Sequence, residues 1–228
     1  MKYNTLLFDI DDTLLDFKAT EEKALNQLFT ELEVRNLPQD KAAYKLMNQG
    51  FWRDYELGKI TREELLATRF SRFFKTIGRE INGPATEDRY RQLLNAGHDL
   101  MPDSLTVVEK LSQTEALYIV TNGVSTTQRQ RLSESGLEPY FKKVFISEEL
   151  GTHKPEKAFF DHVFNEIPQI DLTKTVIIGD SLTSDIKGGQ MAGIDTIWLN
   201  NWQDSAETIK PTYEITRLTE LYPLLDMN

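Results

Sequence analysis

The stretch Leu6-Leu7-Phe8-Asp9-Ile10-Asp11-Asp12-Thr13 decides how this chain is read. A short apolar run breaks off into three carboxylates, Asp9, Asp11 and Asp12. Such a run is the pattern of a strand buried on both faces of a parallel sheet. In open α/β sheets, ligands gather outside the carboxyl ends of the strands, which is where this acidic cluster falls. Carboxylates this close repel one another and take up protons unless something neutralises them. A divalent cation held by oxygen ligands is the natural resident. An acidic turn capping the next helix would use the same residue types, so the decision passes to the rest of the chain.

Working outward, apolar β-rich runs recur at Leu117–Val120, Val144–Ile146, Thr175–Ile178 and Thr196–Leu199, after the first at Thr5–Phe8. Helical patterns lie between the later ones, at Ser125–Ser135, Glu156–Glu166 and Leu182–Ala192. Strands alternating with helices predict an α/β fold with a doubly wound, Rossmann-like parallel sheet. Between Phe8 and Leu117 the alternation stops, over a stretch far longer than one crossover helix needs. Amphipathic helices fill it instead. Thr20–Glu33 carries Ala24, Leu25, Leu28, Phe29 and Leu32 at helical spacing, and Asp40–Leu57 carries Tyr44, Met47, Phe51 and Tyr55. Thr61-Arg62-Glu63-Glu64 has the capping-box pattern ahead of Leu65, Leu66, Phe70, Phe73 and Phe74. Asn82-Gly83-Pro84 reads as a break before a further helix at Glu87–Leu100. The expected organisation is a catalytic core of residues 1–16 and 100–228, with residues 17–99 inserted as an α-helical cap over the active-site end of the sheet.

Composition narrows the function. The 228 residues hold 26 Lys+Arg against 36 Asp+Glu, a formal net charge of −10, and no basic stretch offers a footprint for a nucleic-acid polymer. Cysteine is absent, which removes disulfides, thiolate metal sites and a cysteine nucleophile. No apolar run approaches membrane-spanning length, and Met1-Lys2-Tyr3-Asn4 does not open a signal peptide. The expectation is a cytoplasmic protein without membrane partners, a monomer or small homo-oligomer.

Four groups of residues carry chemistry. Asp9 can act as a nucleophile that accepts a phosphoryl group, splitting one hard displacement into two. Asp11, two residues on, can protonate the leaving oxygen and then deprotonate the attacking water. Thr13 can fix the turn by hydrogen bonding, or simply start it. Thr121-Asn122-Gly123 closes the second strand with a hydroxyl, an amide and a flexible backbone that suit phosphate oxygens, although the same tripeptide serves in ordinary loops. Lys154, ahead of Pro155, can neutralise both Asp9 and an incoming phosphate as a point charge. Asp180, in Gly179-Asp180-Ser181-Leu182-Thr183-Ser184-Asp185, ends a strand as Asp9 does, and the two can share one Mg²⁺. Asp185 can hold a metal-bound water or orient Lys154; as a first-turn helix carboxylate it would need neither role.

In their order and strand-end placement, these four groups resemble the motifs of the haloacid dehalogenase-like hydrolases, over essentially the whole chain. The resemblance implies Mg²⁺-dependent phosphoryl transfer through Asp9, with Asp11 as acid/base and its backbone carbonyl on the metal. It also implies Thr121 and Lys154 on the phosphate and Asp180 on the metal. Haloacid dehalogenases expel halide and lack an acid at the position of Asp11, so its presence here argues against carbon–halogen cleavage. Phosphonate cleavage through a cap lysine likewise does without that acid. The opening Phe8–Phe17, with Trp52 and Gly58-Lys59-Ile60-Thr61, is similar to the pyrimidine 5′-nucleotidase subgroup, Asp12 standing where glycine is commoner. That similarity implies UMP, dUMP, dTMP and noncanonical pyrimidine nucleotides as substrates. Phe17, Trp52 and Tyr55 are then candidates for recognising the nucleoside, or else core of the insert. A broad sugar-phosphate or metabolite phosphatase, a phosphomutase and a catalytically silent nucleotide-binding protein are the alternatives.

Overall fold

The structure is a computed structural model that describes residues 2–34, 37–201 and 208–226. Among them, β1 (Thr5–Phe8), β2 (Ala116–Thr121), β3 (Lys143–Ile146), β4 (Thr175–Gly179), β5 (Asp195–Leu199) and β6 (Tyr213–Ile215) form one sheet in the order β3-β2-β1-β4-β5-β6. Every pairing is parallel, with Leu6 opposite Leu117 on one side and Val176 on the other. The chain runs outward from β1 through β2 to β3, then returns to build the other half from β4. The order therefore reverses between β1 and β4, and their carboxyl ends open on the crevice where such sheets bind ligands.

β1 is buried along its whole length because both faces of the sheet are covered. Leu6 and Phe8 face one apolar cluster with Leu117, Ile119, Val176 and Ile178, while Leu7 faces the other with Tyr118, Val120 and Ile177. This two-residue alternation is the pleat.

The chain divides into two units, residues 1–17 with 98–228 and residues 18–97. The second is helical: α1 (Phe17–Glu31), which begins at the junction, α2 (Leu37–Glu56), α3 (Arg62–Thr76) and α4 (Gly83–Asn95). Its interior is aromatic, with Tyr44 stacked on Phe70 at 4.7 Å and Phe29 on Phe73 at 5.5 Å between ring centroids. Thr61 caps α3 by accepting from the Glu64 N–H at 3.0 Å, while the Glu64 carboxylate is engaged by Arg72. Asn82-Gly83-Pro84 proves to be a helix start. The Asn82 side chain accepts from the Ala85 N–H at 3.1 Å, and proline suits the first turn because its missing N–H would have no partner there. α4 accordingly begins earlier and ends earlier than Glu87–Leu100.

In the first unit, α5 (Ser104–Leu111) was not anticipated; it buries Val107, Val108 and Leu111 against the sheet. α6 (Ser125–Glu134) follows β2, α7 (Ser147–Leu150) follows β3, and α8 (Lys157–Glu166) precedes β4. A π-helical turn, Leu182–Ile186, leads into α9 (Lys187–Ala192), and α10 (Leu221–Leu224) closes the chain. The segments that leave and re-enter this unit pair with each other. Leu15 bridges Leu100 antiparallel, the Asp16 N–H donates to the Asp99 carbonyl at 2.8 Å, and the Met101 N–H to the Leu14 carbonyl at 2.9 Å. No described helix is long and apolar enough to cross a membrane.

Candidate active site

Asp9 follows the last residue of β1, and its N–H continues the ladder to the Ile178 carbonyl of β4 at 3.0 Å. The chain then folds sharply, with the Leu14 and Leu15 N–H groups both returning to the Ile10 carbonyl, at 2.8 and 2.9 Å. This turn puts Asp12 at φ 55°, a left-handed conformation that glycine adopts freely and aspartate tolerates. The Thr13 backbone takes part in the turn, but its hydroxyl is buried without a hydrogen bond among the described residues. The anticipated hydroxyl role is therefore not what holds the turn.

Lys154 lies at the centre, 1 % exposed. Its Nζ donates to Asp9 Oδ1 at 2.6 Å, Asp185 Oδ1 at 2.6 Å and the Val120 carbonyl at 2.7 Å, which engages all three ammonium protons. Burial alone would lower its pKa, but Asp185 and Asp9 overcome that and hold it above the ordinary lysine value. Asn122 fixes the loop that carries it. Its side-chain oxygen accepts from the Lys154 N–H at 2.9 Å, and its amide donates to the Lys154 carbonyl at 2.8 Å. As arranged, then, the Asn122 side chain supports Lys154. Thr121, also 1 % exposed, accepts through Oγ1 from the Gly123 N–H and Gln128 Nε2, which leaves its own hydroxyl proton to offer a phosphate oxygen.

Asp9, Asp180 and Asp185 converge, each with a carboxylate oxygen within 4.8 Å of the others. Burial pushes Asp9 up to about 8 against the pull of Lys154, with Asp185 and Asp11 adding to the rise. Asp180 is pushed well up by burial, then by Asp9, Asp185 and Asp12. One lysine does not balance this much negative charge, and hard carboxylate oxygens are the donors Mg²⁺ prefers. The residues fit such an ion, to which Asp9 and Asp180 would offer side-chain oxygens. Asp185 is turned toward Lys154 and the Ser181 N–H, the orienting one of its two anticipated roles. Gly179 allows that approach, since a Cβ there would fall 2.3 Å from the Asp185 carboxyl carbon.

Asp11 is held from α6. Arg131 Nη1 lies 2.5 Å from Asp11 Oδ1, and Gln128 Nε2 lies 2.6 Å from Oδ2. Phe17, half-buried, has the Arg131 guanidinium 5.5 Å from its ring centre. Sequence reasoning assigned nothing to Gln128 or Arg131, because a Gln and an Arg on a polar helix look like solvated surface. Within the insert, Trp52 and Tyr55 meet edge to face at 5.9 Å. Tyr55 is buried and accepts from Arg62 Nη2 at 3.1 Å, an environment of packing, while Trp52 is only partly buried.

Residues 6–199 match the model of the haloacid dehalogenase-like hydrolases. A Bacillus subtilis protein named as a HAD-hydrolase, YfnB, is 50 % identical over 99 % of this chain and 97 % of its own. Its crystal structure, described as bound to magnesium and as revealing interdomain movement, superposes with a TM-score of 0.94, covering 100 % of both chains. Two relatives are named pyrimidine 5′-nucleotidases. PynA of Streptococcus pneumoniae is 44 % identical over 100 % of this chain and 97 % of its own, and YjjG of Escherichia coli is 32 % identical over 99 % of both. The L-2-haloacid dehalogenase of Xanthobacter autotrophicus superposes at TM-score 0.78 over 99 % of this chain and 100 % of its own, with 14 % identity, a likeness of fold alone. With its family motifs gathered at the ends of β1, β2 and β4, the chain belongs to the haloacid dehalogenase-like hydrolases.

Proposed function

We propose that this hydrolase is a Mg²⁺-dependent phosphatase of pyrimidine nucleoside 5′-monophosphates, acting in the cytoplasm. The observation that carries the substrate class is full-length similarity to two relatives named pyrimidine 5′-nucleotidases. The arrangement of Asp9, Asp11 and Lys154 supports the chemistry. Asp9, held by Lys154, attacks phosphorus, and the bond from phosphorus to the 5′-oxygen breaks with its electron pair passing to that oxygen. Asp11 supplies the proton the oxygen needs, and then takes one from the water that hydrolyses the aspartyl-phosphate. The Lys154 charge and the Thr121 hydroxyl stabilise negative charge on the transferring phosphoryl group. Mg²⁺, bound through Asp9 and Asp180, supplies Lewis-acid and counter-charge chemistry there. Base selection falls to the helical insert, for which the partly buried Trp52 is the candidate stacking residue.

The test is phosphate release from UMP, dUMP, dTMP, CMP, AMP and glucose 6-phosphate, with Mg²⁺ and with EDTA. Mg²⁺-dependent preference for the uracil and thymine nucleotides is expected. A flat profile would leave a broad metabolite phosphatase.

A further inference from the structure

We propose that Gln128 and Arg131 form a clamp that positions the Asp11 carboxylate for proton transfer, with Gln128 tying that position to Thr121. The inference rests on Asp11 being the acid/base, and it concerns residues that the family motifs do not include.

Residues three apart on a helix share a face, and on α6 the face holding Gln128 and Arg131 is buried, each residue being 1 % exposed. Burying a guanidinium is unfavourable unless a carboxylate and further hydrogen bonds complete its surroundings. Here the carboxylate is Asp11, and Arg131 Nη1 also donates to Gln128 Oε1 at 3.0 Å. The Gln128 amide nitrogen bridges Asp11 Oδ2 at 2.6 Å and Thr121 Oγ1 at 3.0 Å. The Phe17 ring beside the guanidinium adds a cation–π contact. Gly123 makes the approach possible, because a Cβ there would fall 2.3 Å from Gln128 Nε2.

Asp11 itself is on a loop, with its side chain 30 % exposed. Left alone, such a carboxylate samples several rotamers. Two donors, one on each oxygen and both rooted in one buried helix turn, reduce them to one. A general acid must come within hydrogen-bond reach of the leaving oxygen, and a misplacement of about 1 Å can cost about 10²-fold in rate. The Gln128 bridge sets Asp11 in a fixed relation to Thr121, hence the proton donor in a fixed relation to the phosphate. Arg131 and Gln128 are positioning residues, since they act through Asp11.

The test exploits the leaving group. A nucleoside 5′-alkoxide must be protonated as it departs, whereas p-nitrophenolate leaves without a proton. Single-turnover phosphoryl transfer is measured for wild type, Arg131→Met, Arg131→Lys, Gln128→Leu, Asp11→Asn and the Asp11→Asn/Arg131→Met double variant, on dUMP and on p-nitrophenyl phosphate with Mg²⁺. Circular dichroism melts verify folding, and Gln128→Leu, which removes no charge, carries the test if Arg131→Met does not fold. The expected result is a loss of about 10²-fold on dUMP and under about 3-fold on p-nitrophenyl phosphate. Arg131→Lys should recover part of the loss, and Arg131→Met should have no further effect once Asp11 is Asn.

Equal losses on both substrates, or a loss that persists in the Asp11→Asn background, would overturn the clamp. So would a raised half-saturation concentration with the saturating single-turnover rate unchanged, which would make Arg131 a substrate-binding residue. A wild type that cleaves p-nitrophenyl phosphate but not dUMP refutes the nucleotidase reading alone; the same ratio, read with an alkyl phosphate that it does hydrolyse, still judges the clamp. A wild type inactive on every ester overturns both.

Discussion

Lys154 and Arg69 are both buried cations, one at the end of the core sheet and one inside the helical insert, but they keep different company. Arg69 meets Glu87 through two parallel bonds at 2.7 and 2.8 Å and donates also to the Asn48 oxygen at 3.1 Å. Arg91 brings a second cation to Glu87, and the nearby Glu21 accepts from Tyr90 and Asn48. Burial, opposed by Lys45 and Arg69, raises the Glu21 pKa and favours its neutral form. Here each ionised group meets a partner of opposite sign. Lys154, by contrast, faces Asp9 and Asp185 with Asp180 beside them, an excess of negative charge that the fold does not neutralise. A buried imbalance weakens a protein and persists where it serves chemistry; a buried balance serves packing.

Breaking the core cluster should affect rate more than stability. Asp9→Asn should lower turnover by about 10⁴-fold or more, since it removes the nucleophile. Its melting temperature should equal or exceed that of the metal-free wild type, because one repelling carboxylate is gone. A destabilised Asp9→Asn would mean that the cluster is structural. EDTA should abolish turnover, and restored Mg²⁺ should raise the melting temperature, a gain of about 2.7 kcal/mol when the ion is at about 100 times its Kd. Asp180→Asn should lose most of that gain.

Breaking the insert cluster should do the reverse. Arg69→Met leaves Glu87 buried beside a poorer complement of charge, and urea unfolding should register a loss of about 3–5 kcal/mol. Replacing Glu87 by Met as well should restore part of it. The smallest effect concerns Glu21. A carboxyl whose pKa is raised by burial holds more protons folded than unfolded. Its stabilising contribution is therefore complete below its ordinary value of 4.5 and is lost as pH rises through the folded value. The stability of Glu21→Gln relative to wild type should accordingly grow as pH is raised above 4.5, and a difference independent of pH would refute the assignment.

The same contrast explains what could be read from the sequence. Asp9, Thr121 and Asp180 were legible because each ends an apolar run that reads as a buried strand, and parallel strands bring their carboxyl ends together; Lys154 drew its weight from lying between two such strand-end motifs. The clamp residues were not, because α6 buries Thr127, Gln128 and Arg131 alongside Leu132. Polar groups facing inward invert the pattern by which a helix face is ordinarily judged. α5 was overlooked although Val107, Val108 and Leu111 have helical spacing; the preceding Met101-Pro102 marked only a return to the core. β6, three residues long, is too short to carry a periodic signal. Asn82-Gly83-Pro84 was misread because the residues that break one helix also start the next.

The pairing of Leu15 with Leu100 has a consequence for descent. The helical insert leaves and rejoins the sheet-bearing unit through two paired segments of chain, so both of its ends pass through one doorway. A lineage can lengthen, exchange or discard what lies beyond such a doorway without shifting the register of any β-strand. Whatever specificity the insert carries is thus inherited as a cassette, free to diversify while the carboxylates at the ends of β1 and β4 stay where they are.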